Sequence, residues 1–225
     1  MVEPTLKLWL VRHGETTWNS ERRAQGHLDV PLSSLGRDQA TMLAHRLRGT
    51  SFDAIYSSDL SRALETARIV NSNLGGRTQV LADARWREQM LGALQGLSTN
   101  EVAAMLEARG ATRPVLVTER YPDAESRAEL MERIKLGLQE LIRRHPDGRV
   151  IVFSHGGGIR AATSVLLGDT DQKLNFGGLE NTSITRFRML SNQDTTLRGT
   201  MLAYNDSAHL EHNYSSSFRA NADEA

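Results

Sequence analysis

The chain has 225 residues, enough for one large domain with a sizeable hydrophobic core. Its 27 basic and 27 acidic residues balance, so the charge predicts neither a nucleic-acid partner nor an anionic-membrane partner. Because the chain has no cysteine, disulfide scaffolds, thiolate zinc sites and cysteine nucleophiles are excluded. The sequence shows neither a signal-peptide pattern nor an apolar run of membrane-spanning length. We therefore expect a cytoplasmic protein.

Short apolar runs alternate with helical patterns along the chain. The patterns predict strands at 6–11, 54–56, 78–81, 150–153, 184–187 and 197–203, and helices at 34–48, 61–74, 100–109, 126–145 and 157–167. The buried face of the first helix is predicted to contain Leu35, Ala40, Leu43, Ala44 and Leu47. The alternation favours a single α/β domain at 1–205, with a mostly parallel central sheet and helices on both faces. The polar residues 206–225 are predicted to form a C-terminal tail.

Chemically functional side chains follow three of the predicted strands. Arg12 and His13 end the first strand, Arg62 lies in the first helical turn after the second, and His155 follows the strand at 150–153. Open α/β sheets bind ligands at the carboxyl ends of their strands, so these side chains are expected to share one pocket. An arginine fork binds phosphate oxygens, and a neutral histidine can attack phosphorus. The pattern therefore indicates a phosphate site.

Segments along most of the chain resemble, in order, the signatures of the histidine phosphatase superfamily, which includes the cofactor-dependent phosphoglycerate mutases. They are Arg12-His13-Gly14-Glu15-Thr16 with Asn19, Gln25-Gly26 with Asp29-x-Pro31-Leu32-Ser33, Ser57-Ser58-Asp59-Leu60-x-Arg62-Ala63, Arg87-Glu88 with Gly92 and Gly96, and Ser154-His155-Gly156-Gly157. One arginine–histidine pair would be weak evidence, whereas the ordered set is specific. The resemblance spans residues 7–187 and implies a phosphoglycerate mutase-like fold.

The resemblance also implies a mechanism. His13 would be the nucleophile and pass through a phosphohistidine, while Glu88 would protonate the leaving oxygen and then assist water. The residues that would bind the phosphoryl oxygens are Arg12, Asn19, Arg62, His155 and Gly156. The partner would be a small phosphate ester. Neither a cofactor nor a metal is implied, because the guanidinium groups would neutralise the transferring phosphoryl group.

Three alternatives concern individual residues. Asp83 competes with Glu88 for the role of the acid, and Asn19 is an alternative helix cap. His13, His155 and Glu88 together form a ligand set suited to a divalent metal, although the flanking arginines would repel a cation.

Two positions bear on the reaction type. Leu91 and Thr99 stand where mutases of this family carry a tyrosine and a lysine, so the sequence favours hydrolysis. Phosphoglycerate mutase-type transfer and a non-catalytic phosphate-binding relative are the alternatives.

The segment 108–123, with Arg113, Arg120 and Tyr121, is the expected place for contacts with the alcohol portion of the ester. The physiological ester and the oligomeric state, with a homodimer as one option, are left open.

Overall fold

The computed structural model describes residues 5–108, 121, 123–169, 176–190 and 197–210. The strands are β1 (Thr5–Arg12), β2 (Ala54–Ser57), β3 (Val80–Ala82), β4 (Arg149–Ser154), β5 (Ile184–Leu190) and β6 (Gly199–Asp206). The helices are α1 (Thr17–Ser20), α2 (Ser34–Arg46), α3 (Ser61–Asn73), α4 (Thr99–Glu107), α5 (Arg127–Arg144) and α6 (Gly156–Leu167). All of these except the single-turn α1 were predicted, with differences confined to their ends.

The strands form one sheet in the order β3-β2-β4-β1-β5-β6. The first four of these are mutually parallel, whereas β5 pairs antiparallel with both of its neighbours. The predicted mostly parallel sheet is confirmed. The direction of β5 was not predicted, because the apolar pattern of so short a run does not fix the direction of a strand.

Helices cover both faces of the sheet, as predicted. On one face, α5 and α6 pack on alternate residues of β1 and β4, including Leu8, Leu10 and Val152. On the other, α2 and α3 pack on the intervening residues, including Val11 and Phe153. Side chains of a strand point alternately to its two faces, and both sets are buried here. This burial on both faces explains the unbroken apolar run of β4.

The beginning of α2 departs from the predicted face. Leu35 is 38% exposed, whereas Gly36 and Gln39 are buried in its place. A Cβ on Gly36 would lie 2.1 Å from the Glu15 carbonyl oxygen, and one on Gly14 would lie 2.4 Å from the Gly36 carbonyl oxygen. The backbone that leaves β1 therefore lies directly against α2, and this close approach, rather than apolar packing, fixes the orientation of the first helical turn.

After β6 the chain forms a 3₁₀ turn at Ala208–Leu210. Leu210 is buried, and the ring Nε2 of His209 lies 3.0 Å from the Thr182 hydroxyl oxygen. The chain thus remains packed on the domain for several residues beyond the predicted start of the tail at 206. The rest of the predicted tail, 211–225, lies outside the described residues, as do Arg113 and Arg120. No helix of the described part is long and apolar enough to cross a bilayer.

Candidate active site

The register of the sheet brings the predicted site residues together. Arg12 on β1 is aligned with Ser154 on the adjacent parallel strand β4, so His13 and His155 leave the sheet at the same level. Their ring centroids are 5.1 Å apart. Strand β2 lies on the other side of β4, and α3 then carries Arg62 to within 3.2 Å of the His155 ring. Four of the predicted residues therefore form one cluster at the carboxyl ends of three strands.

The buried His13 has a defined tautomer. Its Nδ1 lies 2.7 Å from the Gly14 carbonyl oxygen, which can only accept a hydrogen bond. Nδ1 of the neutral ring must therefore carry the proton, and Nε2 has the free lone pair. The backbone of His13 is also held, because its N–H donates to the Ser154 carbonyl at 3.0 Å and its own carbonyl accepts from Asn181 Nδ2 at 2.9 Å.

His155 has the opposite tautomer. Its Nδ1 lies 3.2 Å from Arg62 Nε, and an arginine can only donate. The proton of the neutral ring is therefore on Nε2. Within the described residues, His155 Nε2 and Arg12 Nε are both buried without a hydrogen-bond partner. Unpaired buried donors are costly, so two of them beside His13 indicate a site prepared for an anion.

The electrostatic environment keeps both rings neutral. Burial, reinforced by the positive charges of Arg62 and Arg12, lowers the pKa of His13 well below its ordinary value. Burial and Arg62 likewise lower the pKa of His155. Burial lowers the pKa of Arg62 itself to about 10, with Glu88 and Asp29 opposing the shift. At neutral pH the site thus combines two uncharged imidazoles with charged guanidinium groups.

Backbone carbonyls hold the two arginines in place. Arg62 donates through Nη1 to the Leu28 carbonyl at 2.9 Å and through Nη2 to the Gly26 carbonyl at 2.8 Å. Arg12 donates through Nη1 to the Leu179 carbonyl. Neither arginine is in an ion pair with a carboxylate of the described chain, although Arg62 is only 1% exposed. A buried cation without a direct ion pair is unfavourable, and a bound phosphate would supply that pair.

Glu88 lies at the start of α6. Its Oε2 accepts from the Gly157 N–H at 3.0 Å, and its Oε1 accepts from the Gln89 N–H at 2.8 Å. A Cβ on Gly157 would lie 2.0 Å from Glu88 Oε1, so a side chain at that position would displace the carboxylate. A Cβ on Gly156, the glycine singled out from the sequence, would meet only ordinary contacts. The glycine that the geometry requires is therefore the next residue, Gly157.

An arginine of α5 fixes the loop that carries Glu88. The guanidinium of Arg133 pairs with Glu125 at 2.7 Å and donates to the carbonyls of Arg85 (2.9 Å), Arg87 (3.1 Å) and Glu88 (3.1 Å). The ring Nε2 of His27 also lies 2.7 Å from the Glu88 carbonyl oxygen. Sequence reasoning missed both Arg133 and His27, because their contacts are with residues distant along the chain.

Hydrogen bonds and ion pairs also bear on the alternative roles of Asp83 and Asn19 and on the metal alternative. Asp83 caps a 3₁₀ turn, accepting from the Arg85 N–H at 2.9 Å, and it pairs with the Arg85 side chain at 2.7 Å. Asn19 is the third residue of α1 and completes a capping box with the N-cap residue Thr16, because its Oδ1 accepts from the backbone N–H and the hydroxyl of Thr16, each at 3.0 Å. Among the residues that the structure describes, no three histidine, aspartate or glutamate side chains are arranged to bind a metal. Tyr121, which was expected to contact the alcohol portion of the ester, is buried beside Leu94.

Comparison with known proteins decides the family. The sequence profile of the histidine phosphatase superfamily (branch 1) matches residues 8–200. The chain belongs to this superfamily.

Relatives in the superfamily include both mutase-like proteins and phosphatases. The chain is 37% identical to phosphoglycerate mutase-like protein 4 of Arabidopsis thaliana over 205 residues, which cover 90% of this chain and 86% of that protein. It also resembles a mycobacterial glucosyl-3-phosphoglycerate phosphatase solved with VO3, with a TM-score of 0.75, 32% identity, and coverage of 89% and 99% of the two chains. A phosphoglycerate mutase from Bacillus anthracis str. Sterne gives a TM-score of 0.79 at 27% identity and covers 93% and 96%. The predicted family and fold are confirmed.

Proposed function

We propose that the protein is a metal-independent phosphomonoesterase that hydrolyses a small phosphorylated metabolite through a phosphohistidine on His13. The observation that carries this proposal is the arrangement of tautomers. His13 Nε2 has a free lone pair, and the unpaired donors His155 Nε2 and Arg12 Nε lie in the same cluster. A nucleophile beside donors that match a phosphoryl group is what phosphoryl transfer requires.

The reaction proceeds in two displacements. In the first, the lone pair on His13 Nε2 forms a bond to phosphorus while the bond to the leaving oxygen breaks. Protonated Glu88 transfers its proton to that oxygen, which releases the alcohol. In the second, the Glu88 carboxylate takes a proton from water as the water oxygen bonds to phosphorus. The bond between phosphorus and His13 Nε2 breaks, which returns the lone pair to the ring and releases inorganic phosphate. Arg12, Arg62 and His155 donate to the equatorial oxygens, where the transferring charge is spread.

Hydrolysis is favoured over mutase-type transfer by what surrounds Leu91 and Thr99. Leu91 packs in a small apolar cluster with Leu94 and Tyr121, and the Thr99 hydroxyl donates to the Arg22 carbonyl at 3.0 Å. Neither position supplies a cation to retain an acidic product for the return step. The two reactions are distinguished by incubating the protein with 3-phosphoglycerate and following the products by ³¹P NMR. Inorganic phosphate supports hydrolysis, whereas 2-phosphoglycerate without phosphate release supports the mutase.

The nucleophile is tested by His13→Ala, with the exposed His45→Ala as the matched control. We expect His13→Ala to lower kcat for p-nitrophenyl phosphate by about 10³-fold or more, because the covalent route is lost. The trapped phosphoenzyme should survive alkali and be lost in acid, as a phosphoramidate is. Label that survives acid would indicate a serine or threonine ester and overturn the assignment. A protein that neither forms phosphoenzyme nor hydrolyses any ester would be the non-catalytic phosphate binder.

Metal independence has its own test. Because Arg12, Arg62 and His155 would neutralise the phosphate, prolonged treatment with EDTA should leave kcat/KM unchanged. Vanadate, which adopts the five-coordinate geometry of the transferring group, should inhibit. Activity that EDTA abolishes and a divalent cation restores would favour the metal alternative of His13, His155 and Glu88.

A further inference from the structure

A cavity lies away from the phosphate site, on the face of the sheet that α2 covers. It has a volume of about 170 Å³ and is enclosed by the end of α2 and by residues of β1, β5 and β6. Trp9 lines it, three residues before Arg12 on β1, which is about 10 Å along the strand. Because side chains of a strand alternate, Trp9 and Arg12 point to opposite faces of the sheet. The cavity is therefore separate from the proposed catalytic residues.

Arg186 brings a buried donor to this cavity. The register of β1 and β5 pairs it with Trp9, and its guanidinium carbon lies 5.2 Å from the centroid of the indole ring. The ring orients the guanidinium but offers it no hydrogen-bond acceptor. Within the part of the chain that the structure describes, Arg186 Nε is buried without a hydrogen-bond partner. An unpaired buried donor is costly, so one in a residue that lines a cavity indicates a site for an acceptor.

The charged residues of the lining leave one positive charge in excess. They are Arg46, Arg186 and Asp206. Arg46 Nη2 lies 3.6 Å from Asp206 Oδ2, so these two balance each other. No carboxylate of the described residues forms an ion pair with Arg186. The next pair on the same face of β1 and β5, Lys7 with Arg188, is cationic too and does not cancel the excess. The lining therefore favours an anion.

The rest of the lining favours an anion with an apolar body. Leu47 and Ile184 are buried in the adjoining core and line the cavity together with the indole of Trp9. A cavity of about 150 Å³ accommodates a benzene ring, so this one is large enough for a ring or a branched chain. Arg46 is exposed, so a ligand can enter from its side. A guanidinium matches a carboxylate in geometry and charge.

We propose that this cavity binds a small monocarboxylate with an aromatic or branched apolar body. The carboxylate accepts a hydrogen bond from Arg186 Nε, and the body lies against Leu47 and Ile184. The inference is independent of the proposed function, because it uses no residue of the phosphate site. It gives the protein a second ligand site, on the other face of the sheet.

Benzoate is the probe, and benzamide, which has nearly the same shape without the charge, is the matched control compound. Two-dimensional ¹H–¹⁵N NMR of the arginine Nε–H and the indole N–H of Trp9 measures binding at the cavity itself. Vanadate is kept in excess so that benzoate cannot enter the phosphate site. We expect benzoate to shift both resonances with a dissociation constant on the order of 1 mM, as suits so small a ligand. Benzamide should bind at least about 10-fold more weakly.

Three variants complete the design, with binding followed at the Trp9 indole N–H. Arg186→Gln should weaken benzoate binding by about 10- to 100-fold, the effect of losing a charge-assisted hydrogen bond. Asp206→Asn should strengthen it, because it removes the negative charge of the lining, and a general loss of folding cannot produce a gain. Arg68→Gln, at an exposed position of α3, should leave it unchanged.

Three results would each overturn the carboxylate site. They are an Arg186 Nε–H resonance that benzoate does not move at about ten times the expected dissociation constant, equal binding of benzamide and benzoate, and unchanged affinity in Arg186→Gln. If vanadate fails to bind, the proposed function is in question, whereas a benzoate shift at Arg186 and Trp9 still supports the second site.

Discussion

At the residue scale, the two histidines differ in the nitrogen that carries the proton. A carbonyl oxygen faces Nδ1 of His13, whereas a guanidinium N–H faces Nδ1 of His155. The same ring thus presents a lone pair at Nε2 in one case and an N–H at Nε2 in the other. Exchanging the two Nδ1 partners would exchange the tautomers, so the hydrogen bonds rather than the residue type separate the proposed nucleophile from the proposed donor.

This assignment predicts an NMR result. In ¹⁵N spectra at pH 7, His13 should show a protonated Nδ1 and His155 a protonated Nε2, because of the partners just named. Burial and the neighbouring arginines lower both pKa values, so neither ring should gain a proton as the pH falls from 7 to 6. His45, which is exposed, is the internal comparison. Identical tautomers for the two site histidines would contradict the assignment.

The role of Glu88 predicts a dependence on the leaving group. Glu88→Gln should lower kcat by about 10²–10⁴-fold for an alkyl phosphate, whose leaving oxygen needs a proton. The loss should be much smaller for p-nitrophenyl phosphate, whose leaving group is stable as an anion. Asp83→Asn is the matched control and should lose little activity on either ester. Equal losses on both esters in Glu88→Gln would mean that Glu88 positions the phosphate instead.

The sequence predicted the residues that follow strand ends but not those that support them. Arg12, His13, Arg62 and His155 lie beside one another because β1, β2 and β4 are adjacent, and their motifs are continuous in sequence. The supporting residues are His27, Arg133 and Gly157. Their contacts depend on how helices and loops pack against the sheet, and a single sequence carries no local pattern for that packing.

At the scale of elements, α5 acts on the site through a loop. Arg133 joins this helix to the carbonyls of Arg85, Arg87 and Glu88, and its ion pair with Glu125 keeps the guanidinium oriented. Five N–H donors in a rigid fork suit an arginine to this task, and a lysine could not replace it. The long helix thereby determines where the proposed acid lies, although it contributes no group to the phosphate pocket.

Arg133→Gln should accordingly behave as a weaker form of Glu88→Gln. We expect kcat for an alkyl phosphate to fall by about 10- to 100-fold, the usual effect of losing a residue that orients a functional group. The kcat for p-nitrophenyl phosphate should change much less. Arg143→Gln, at an exposed arginine of the same helix whose described ion pair is with Glu140, is the matched control. Equal losses on the two esters in Arg133→Gln would show a general loss of folding instead.

The elements themselves were largely predictable, for a physical reason. Periodic burial leaves a local signal, and the stripe Leu130, Ile134, Leu138 and Leu141 of α5 is buried as its spacing indicated. The signal is weakest at helix starts, where a backbone contact decides the orientation. Leu35 was assigned to the core for that reason and is exposed.

For the whole molecule, the lowered histidine pKa values predict sensitivity to acid. Burial lowers the pKa of His13, His27, His145, His155 and His209. The unfolded chain then binds protons below about pH 6.5 that the folded chain does not, so the free energy of unfolding falls with pH by about 1.4 kcal/mol per pH unit per proton. The contribution of these histidines to stability is complete above about pH 6.5. It declines as the pH falls, until the pH has passed the pKa of each histidine in the folded protein.

Urea unfolding at pH 7.5, 6.0 and 5.0 measures this decline. The pKa of Glu140 is lowered to about 2 by its hydrogen bonds with Arg143 and Arg144, and Arg87 lowers that of Asp59, so these two carboxylates gain protons on unfolding only below about pH 5. Their contribution is lost only at lower pH. His145→Gln should reduce the slope, because it removes one of the titrating groups. A free energy of unfolding that is constant from pH 7.5 to 5.0 would refute the linkage.

Through the contact between Gly14 and Gly36, the position of α2 affects the backbone beside the proposed catalytic residues, although the two segments are distant in sequence. The helix begins with no room for even a methyl group, so any side chain at position 36 must push the backbone of Glu15, two residues after the proposed nucleophile His13. Near-attack geometry tolerates errors of well under an ångström before the rate suffers. A mutational scan should therefore class position 36 with the catalytic positions, although its residue has no chemistry of its own.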